Sequence, residues 1–243
     1  QPQYYEDIPL GAIYSPESTV FRVFAPTAEG VSVVIAEKAR GSEGLAEHPL
    51  KRRHSGIWEA SVAGDLAGRF YAWRLRGRGF DERKEIADIY AICAQGRGGR
   101  TLIVDPRRLE PDGFRVRPPA ASNLAPVDAI IYELHVRDMT IAGNSGVRQK
   151  GKYLGLTESG THLPRHREVA TGVDHLAELG VTHVQLMPVQ DFDNDETRDG
   201  YDWGYMPVQL NSPEGCYASS PAGAARIAEL KAARPDAHAA SVV

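Results

Sequence analysis

The sequence predicts two domains in series: an antiparallel β-sandwich of immunoglobulin-like type over residues 8–114, and the incomplete start of a (β/α)8 barrel over residues 127–231. Three observations predict it. Short alternating apolar runs separated by Gly, Pro and Asp fill the first hundred residues, which is the pattern of half-buried strands. Strands alternating with helices fill the second half, the pattern of a parallel sheet. A Pro-rich connector, residues 115–126, divides the two.

Each element follows from its own residues. Thr19–Phe24 and Val31–Ile35 alternate apolar with polar, and Ile57–Val62 follows a turn at Ser55-Gly56. Gly64-Asp65 then leads into Phe70–Leu75, so five or six short strands are expected. Beyond Pro126, Ala129–Val136 reads as a strand. Val173, Leu176, Ala177 and Leu179 have the spacing of a helix face, with Gly180 at the expected end. Val181–Met187, closed by Pro188, reads as a buried parallel strand, and Ala225–Lys231 as a last helix. Only 117 residues follow Pro126. A complete barrel takes about 250, so the barrel expected here is partial. Unpaired strands would leave that half marginally stable or prone to aggregate.

Composition narrows the function classes. The chain has 243 residues, 42% hydrophobic and 25% charged, with a formal net charge of -4. That balance excludes a nucleic-acid partner, which needs a concentrated basic face. The one basic cluster, Lys51-Arg52-Arg53-His54, reads as a solvated turn or strand end. No apolar run approaches the roughly 20 residues that span a bilayer, so no membrane partner is expected. Two distant cysteines, Cys93 and Cys216, make neither a disulfide framework nor a metal-ligand cluster, and the compartment stays open between cytoplasmic and secreted.

Candidate chemistry lies in the second half. Sugars present apolar faces rimmed by hydroxyls, so their sites place aromatic rings beside polar groups. Tyr201, Trp203 and Tyr205 supply such rings around Gly204. Glu133, Asp138, Asp191, Asp193, Asp195 and Glu196 are candidate acids, read here as a solvated acidic loop with Glu133 in a buried network. Asn194-Asp195-Glu196 fixes no metal geometry. His135 and His183 lie in apolar strands and read as satisfied core histidines; Trp58 and Trp73 read as core of the sandwich.

Four stretches of the second half resemble a known family. They are Ile131–Asp138, Lys150–Glu158, Leu179–Pro188, and Tyr201–Pro207 continuing through Asn211–Tyr217. Together they look like the start of the catalytic barrel of type I pullulanases, in the α-amylase superfamily (glycoside hydrolase family 13). Phe21–Ala28 and Gly64–Gly68 are similar to carbohydrate-binding module family 48, and Asp88–Ala91 and Arg100–Pro106 to the join that follows it. The resemblance covers residues 8 to 231.

The resemblance implies an enzyme cleaving α-1,6 branch points of starch, glycogen or pullulan, with an α-glucan partner and no cofactor. It implies substrate contact at Tyr205, Trp203, Tyr201 and Asp202. It places the catalytic carboxylates after later barrel strands, so no catalytic residue and no metal ligand is assigned. The chain is expected to be an inactive N-terminal fragment. Asp202 and Met206 depart from the family's Tyr-Asn-Trp-Gly-Tyr-Asp-Pro signature, and a Met thioether is a poor partner for a sugar hydroxyl. Residues 232–243 do not match, with Pro235 set to break the helix. Two alternatives stay open: a non-enzymatic glucan-binding protein, and an α-1,4-acting or branching enzyme of the same superfamily. Oligomeric state is left undetermined.

Overall fold

A computed structural model of the chain describes residues 7–53, 55–96, 98–111, 114, 124–198, 200–233 and 241–242. The chain divides into two compact units, Gln1–Arg108 with Gln209–Ser212, and Leu109–Val208 with Pro213–Val243. Most of the connector expected at 115–126 lies outside the described residues.

The first unit holds β1 (Gly11–Tyr14), β2 (Ser18–Phe24), β3 (Gly30–Ala36), β4 (Ala46–Pro49), β5 (Lys51–Arg52), β6 (Ile57–Ala63), β7 (Phe70–Arg76) and β8 (Thr101–Leu102). They form two antiparallel sheets, in the orders β1-β2-β6-β5 and β4-β3-β7-β8. Register explains the core. Val31, Val33 and Ile35 lie opposite Leu75, Trp73 and Tyr71, so one face of the β3–β7 pair is wholly apolar. Phe21 and Val23 lie opposite Ala60 and Trp58 on the first sheet. Phe21 bridges the two sheets, its ring 5.3 Å from Tyr71 and 6.3 Å from Trp73.

Trp58 and Trp73 are core, as expected, and Trp73 is only 1% exposed. The Trp58 indole N–H donates to the Ala25 carbonyl at 2.9 Å, and the Tyr71 hydroxyl to the Asp88 carboxylate at 2.5 Å. The additional strands β1, β4, β5 and β8 all sit at sheet edges. Lys51 and Arg52 are exposed on the edge strand β5, where charge discourages further pairing.

The second unit holds β9 (Ile131–His135), β10 (His162–Leu163), β11 (His166–Ala170), α1 (Gly172–Leu179), β12 (His183–Met187), β13 (Gln190–Phe192), β14 (Pro207–Pro213), α2 (Ala225–Ala232) and β15 (Ser241–Val242). β14 contributes its central residues to the first unit. β9, β12 and β15 form a three-stranded sheet in the order β15-β12-β9, every pair parallel. Leu134, Val184 and Leu176 of α1 share a core with Val136, Tyr153, Phe192 and Tyr217. α1 ends where expected, with Gly180 left-handed at φ 69°.

The opposite face of the sheet is exposed at Ile131, Glu133, Gln185 and Met187. Glu133 is therefore not in a buried network. It lies at the surface and accepts a 2.9 Å bond from the Gln185 side-chain amide. Strand pairing explains this, because Glu133 and Gln185 are direct partners on the uncovered face. No helix among the described residues is long and apolar enough to cross a membrane.

Candidate aromatic binding site

The sequence-predicted rings form a surface ladder between β13 and β14. Tyr201, Trp203 and Tyr205 are 47%, 62% and 75% exposed. The Tyr201 and Trp203 centroids are 5.7 Å apart and edge-on, while Trp203 and Tyr205 stack at 5.8 Å with 19° between planes. His135, at the end of β9, adds a fourth ring 5.2 Å from Tyr201. The Arg137 guanidinium lies 5.9 Å from the Tyr201 centroid.

Backbone hydrogen bonds fix this loop. The Asp202 carboxylate accepts the Gly204 N–H at 2.8 Å, closing an Asx turn. Gly204 has φ +72°, and a Cβ there would meet the Pro188 ring carbons at 2.3 Å. Only glycine fits that approach. The Met206 carbonyl accepts the Asp193 N–H at 2.9 Å, anchoring the far end of the ladder.

His135 ties β9 to the same loop. Its Nδ1 faces the backbone N–H groups of Arg137 and Asp138 at 3.2 and 3.4 Å, and its Nε2 lies 3.0 Å from the Asp202 carbonyl. Neutral imidazole satisfies all of these with Nδ1 accepting and Nε2–H donating. The histidine is thus satisfied, as expected, and it also carries the ladder.

Of the acids expected in a solvated loop, Asp193 and Asp195 are exposed, whereas the Asp191 and Glu196 carboxylates are withdrawn from water. Asp191 is buried, and the Asp191, Glu196 and Glu214 carboxylates lie within 4.8 Å of one another. Arg226 of α2, fully buried, grips Glu196 through both terminal nitrogens at 2.8 Å and reaches Asp191 at 3.5 Å. Glu214 accepts the Phe192 N–H at 3.1 Å, the Cys216 N–H at 2.8 Å and the Asn194 amide at 3.2 Å. Burial, reinforced by the Glu196 and Glu214 charges and opposed by Arg226, pushes Asp191 up to about 7. Burial likewise raises the Cys216 thiol and the Tyr217 hydroxyl.

Sequence reasoning missed Glu214 and Arg226. The available signal was a charged residue on the buried stripe of α2, which requires charged partners. Asp193 and Asp195 are exposed, as is Asp138 beside Arg137. Retaining hydrolysis of a glycoside needs two carboxyl groups about 5 Å apart that the sugar can reach. The Asp191 and Glu196 side chains are 3% and 8% exposed and committed to Arg226, which bars an oligosaccharide from them.

Residues 9–91 match the carbohydrate-binding module 48 (isoamylase N-terminal domain) family. Over 222 residues the chain is 37% identical to the pullulanase of Bacillus subtilis, covering 90% of this chain and 29% of that protein. Along nearly its whole length the chain is similar to pullulanases. A solved pullulanase from Paenibacillus barengoltzii, in complex with maltohexaose and α-cyclodextrin, is 42% identical and superposes with a TM-score of 0.90, over 99% of this chain and 38% of that one. The pullulanase from Bacillus acidopullulyticus gives 0.91 at 39% identity, over 100% of this chain and 30% of that one. The chain therefore spans under a third of the length of the Bacillus subtilis pullulanase.

Proposed function

We propose that this chain binds α-glucan as the leading part of a pullulanase-type debranching glycoside hydrolase, and that it has no hydrolytic activity alone. The observation that carries this reading is the exposed ladder of Tyr201, Trp203 and Tyr205. Stacked rings on a fixed loop offer a platform for the apolar face of a glucose unit, and the Arg137 and Asp202 side chains supply polar groups beside it. β9 and β12 are then the first parallel strands of a (β/α)8 barrel over residues 127–231, with residues 8–114 as the sandwich module and 232–243 as a divergent tail. The uncovered sheet face at Ile131, Glu133, Gln185 and Met187 supports this, because a closed barrel would cover it.

Purified chain is expected to bind maltohexaose and to release no reducing sugar from pullulan. Trp203→Ala should weaken that binding about tenfold or more, from the loss of one stacking ring. Titration calorimetry checks the affinity and a reducing-end assay checks turnover. Unchanged affinity in Trp203→Ala moves glucan binding to the sandwich. Turnover of pullulan would mean that exposed acids such as Glu133 and Asp193 are catalytic.

A further inference from the structure

The segment that leads into the ladder loop, residues 192–196, is fastened by the acid cluster through Phe192, Asn194 and Glu196. Asp191 and Glu196 bracket one side of the loop, Glu214 follows β14, and Arg226 projects from α2. The fastening runs through the backbone: Glu214 holds the Phe192 and Cys216 N–H groups, and Glu196 holds the Gly215 N–H at 3.1 Å. Arg226 also donates to the Pro213 carbonyl at 3.2 Å and to the Pro221 carbonyl. Three carboxylates thus lie within 4.8 Å of one another, and the one guanidinium, in contact with Asp191 and Glu196, cannot compensate all three charges. The Asp191 Oδ1 atom is buried and makes no hydrogen bond among the described residues.

We propose that Asp191, Glu196, Glu214 and Arg226 form a proton-gated clamp that holds the aromatic loop while Asp191 is protonated and loosens it when Asp191 ionises. The groups around Asp191 are Glu196 on its own loop, Glu214 and Cys216 after β14, and Arg226 on α2. Beside Cys216 the Lys152 ammonium donates to the Cys216 carbonyl at 2.7 Å. With Asp191 ionised, net negative charge is confined under the ladder, and repulsion acts on the residues that fasten the loop.

The direction with pH follows from linkage. Asp191 titrates near 7 in the folded chain, above the ordinary aspartate value of about 4. The stability it contributes is complete below the ordinary value and is lost as pH rises to about 7. The clamp is therefore tight at pH 6 and slack at pH 8. The consequence for glucan binding rests on the function proposed above; the clamp itself does not.

The test is hydrogen–deuterium exchange on the full chain without ligand, at pH 6 and pH 8, corrected for intrinsic exchange. The Phe192, Gly215 and Cys216 amides should lose about tenfold in protection at the higher pH, while β3 amides of the first unit hold theirs. Asp191→Asn, which cannot ionise, should show equal protection at both values. Flat protection in the wild-type chain, or the same fall in Asp191→Asn, overturns the clamp. The wild-type profile stands as a test even where the variant does not fold. A maltohexaose titration under the same conditions separates the two ideas. Clamp amides that loosen while affinity stays constant overturn the platform reading and leave the clamp intact.

Discussion

Each unit of this chain carries a triad of aromatic rings, and the two triads have nearly the same internal spacing. In the sandwich, Phe21, Tyr71 and Trp73 meet at 5.3 to 6.3 Å and are closed off from water. On the second unit, Tyr201, Trp203 and Tyr205 meet at 5.7 and 5.8 Å and are all exposed. Ring–ring spacing is therefore not what separates a core from a binding surface. The difference lies in what fixes the rings. Strand register places the buried triad, and water exclusion stabilises it. The exposed triad is placed by backbone hydrogen bonds, one glycine and a histidine, so its apolar faces remain available.

Substitutions can break that comparison. The largest effect is expected for Trp73→Ala, which opens a cavity in the sandwich and should cost about 3–5 kcal/mol in urea unfolding followed by far-UV circular dichroism. Gly204→Ala should cost about 1–3 kcal/mol, through a left-handed backbone and the collision with Pro188. The same variant should disturb the Trp203–Tyr205 stack, read as a change in near-UV circular dichroism. Asp202→Ala removes the acceptor of the Gly204 N–H and should cost about 1 kcal/mol, whereas Asp202→Asn keeps an acceptor and should cost little. The smallest stability effect is expected for Trp203→Ala, within about 0.5 kcal/mol, because the ring is already in water. A loss comparable to that of Trp73→Ala would show that the ladder is structural and that the two triads do one job.

The central strands were legible because each has a full alternating run. Thr19–Phe24, Val31–Ile35, Ile57–Val62 and Phe70–Leu75 all fall within β2, β3, β6 and β7. The edge strands β1, β4, β5 and β8 were not, since two to four residues carry too little periodicity to stand out. α1 was legible to its last residue because Gly180 supplies a left-handed end. β10 and β11 form a hairpin of charged, mostly exposed residues, which shows no apolar pattern. The ladder was visible as a run of rings around Gly204, although the sequence could not separate an exposed Trp203 from an inward one. The acid cluster was read as solvated because its cation comes from α2, thirty residues beyond Glu196. Charge compensation across that distance leaves no local trace, so the acids resembled an ordinary polar loop.

Met206 has a consequence for altering what this chain recognises. Its carbonyl is pinned by the Asp193 N–H, while its side chain is 67% exposed at the open end of the ladder. Backbone position and side-chain identity are thus uncoupled there. Gly204, two residues earlier, has the opposite character, since any β-carbon strikes Pro188. A saturation library at 206 should return mostly folded proteins spanning acids, amides and hydroxyls, whereas one at 204 should collapse to the parent. For an engineer, the variable contact at the rim of this surface is a single residue, already isolated from the scaffold that carries it.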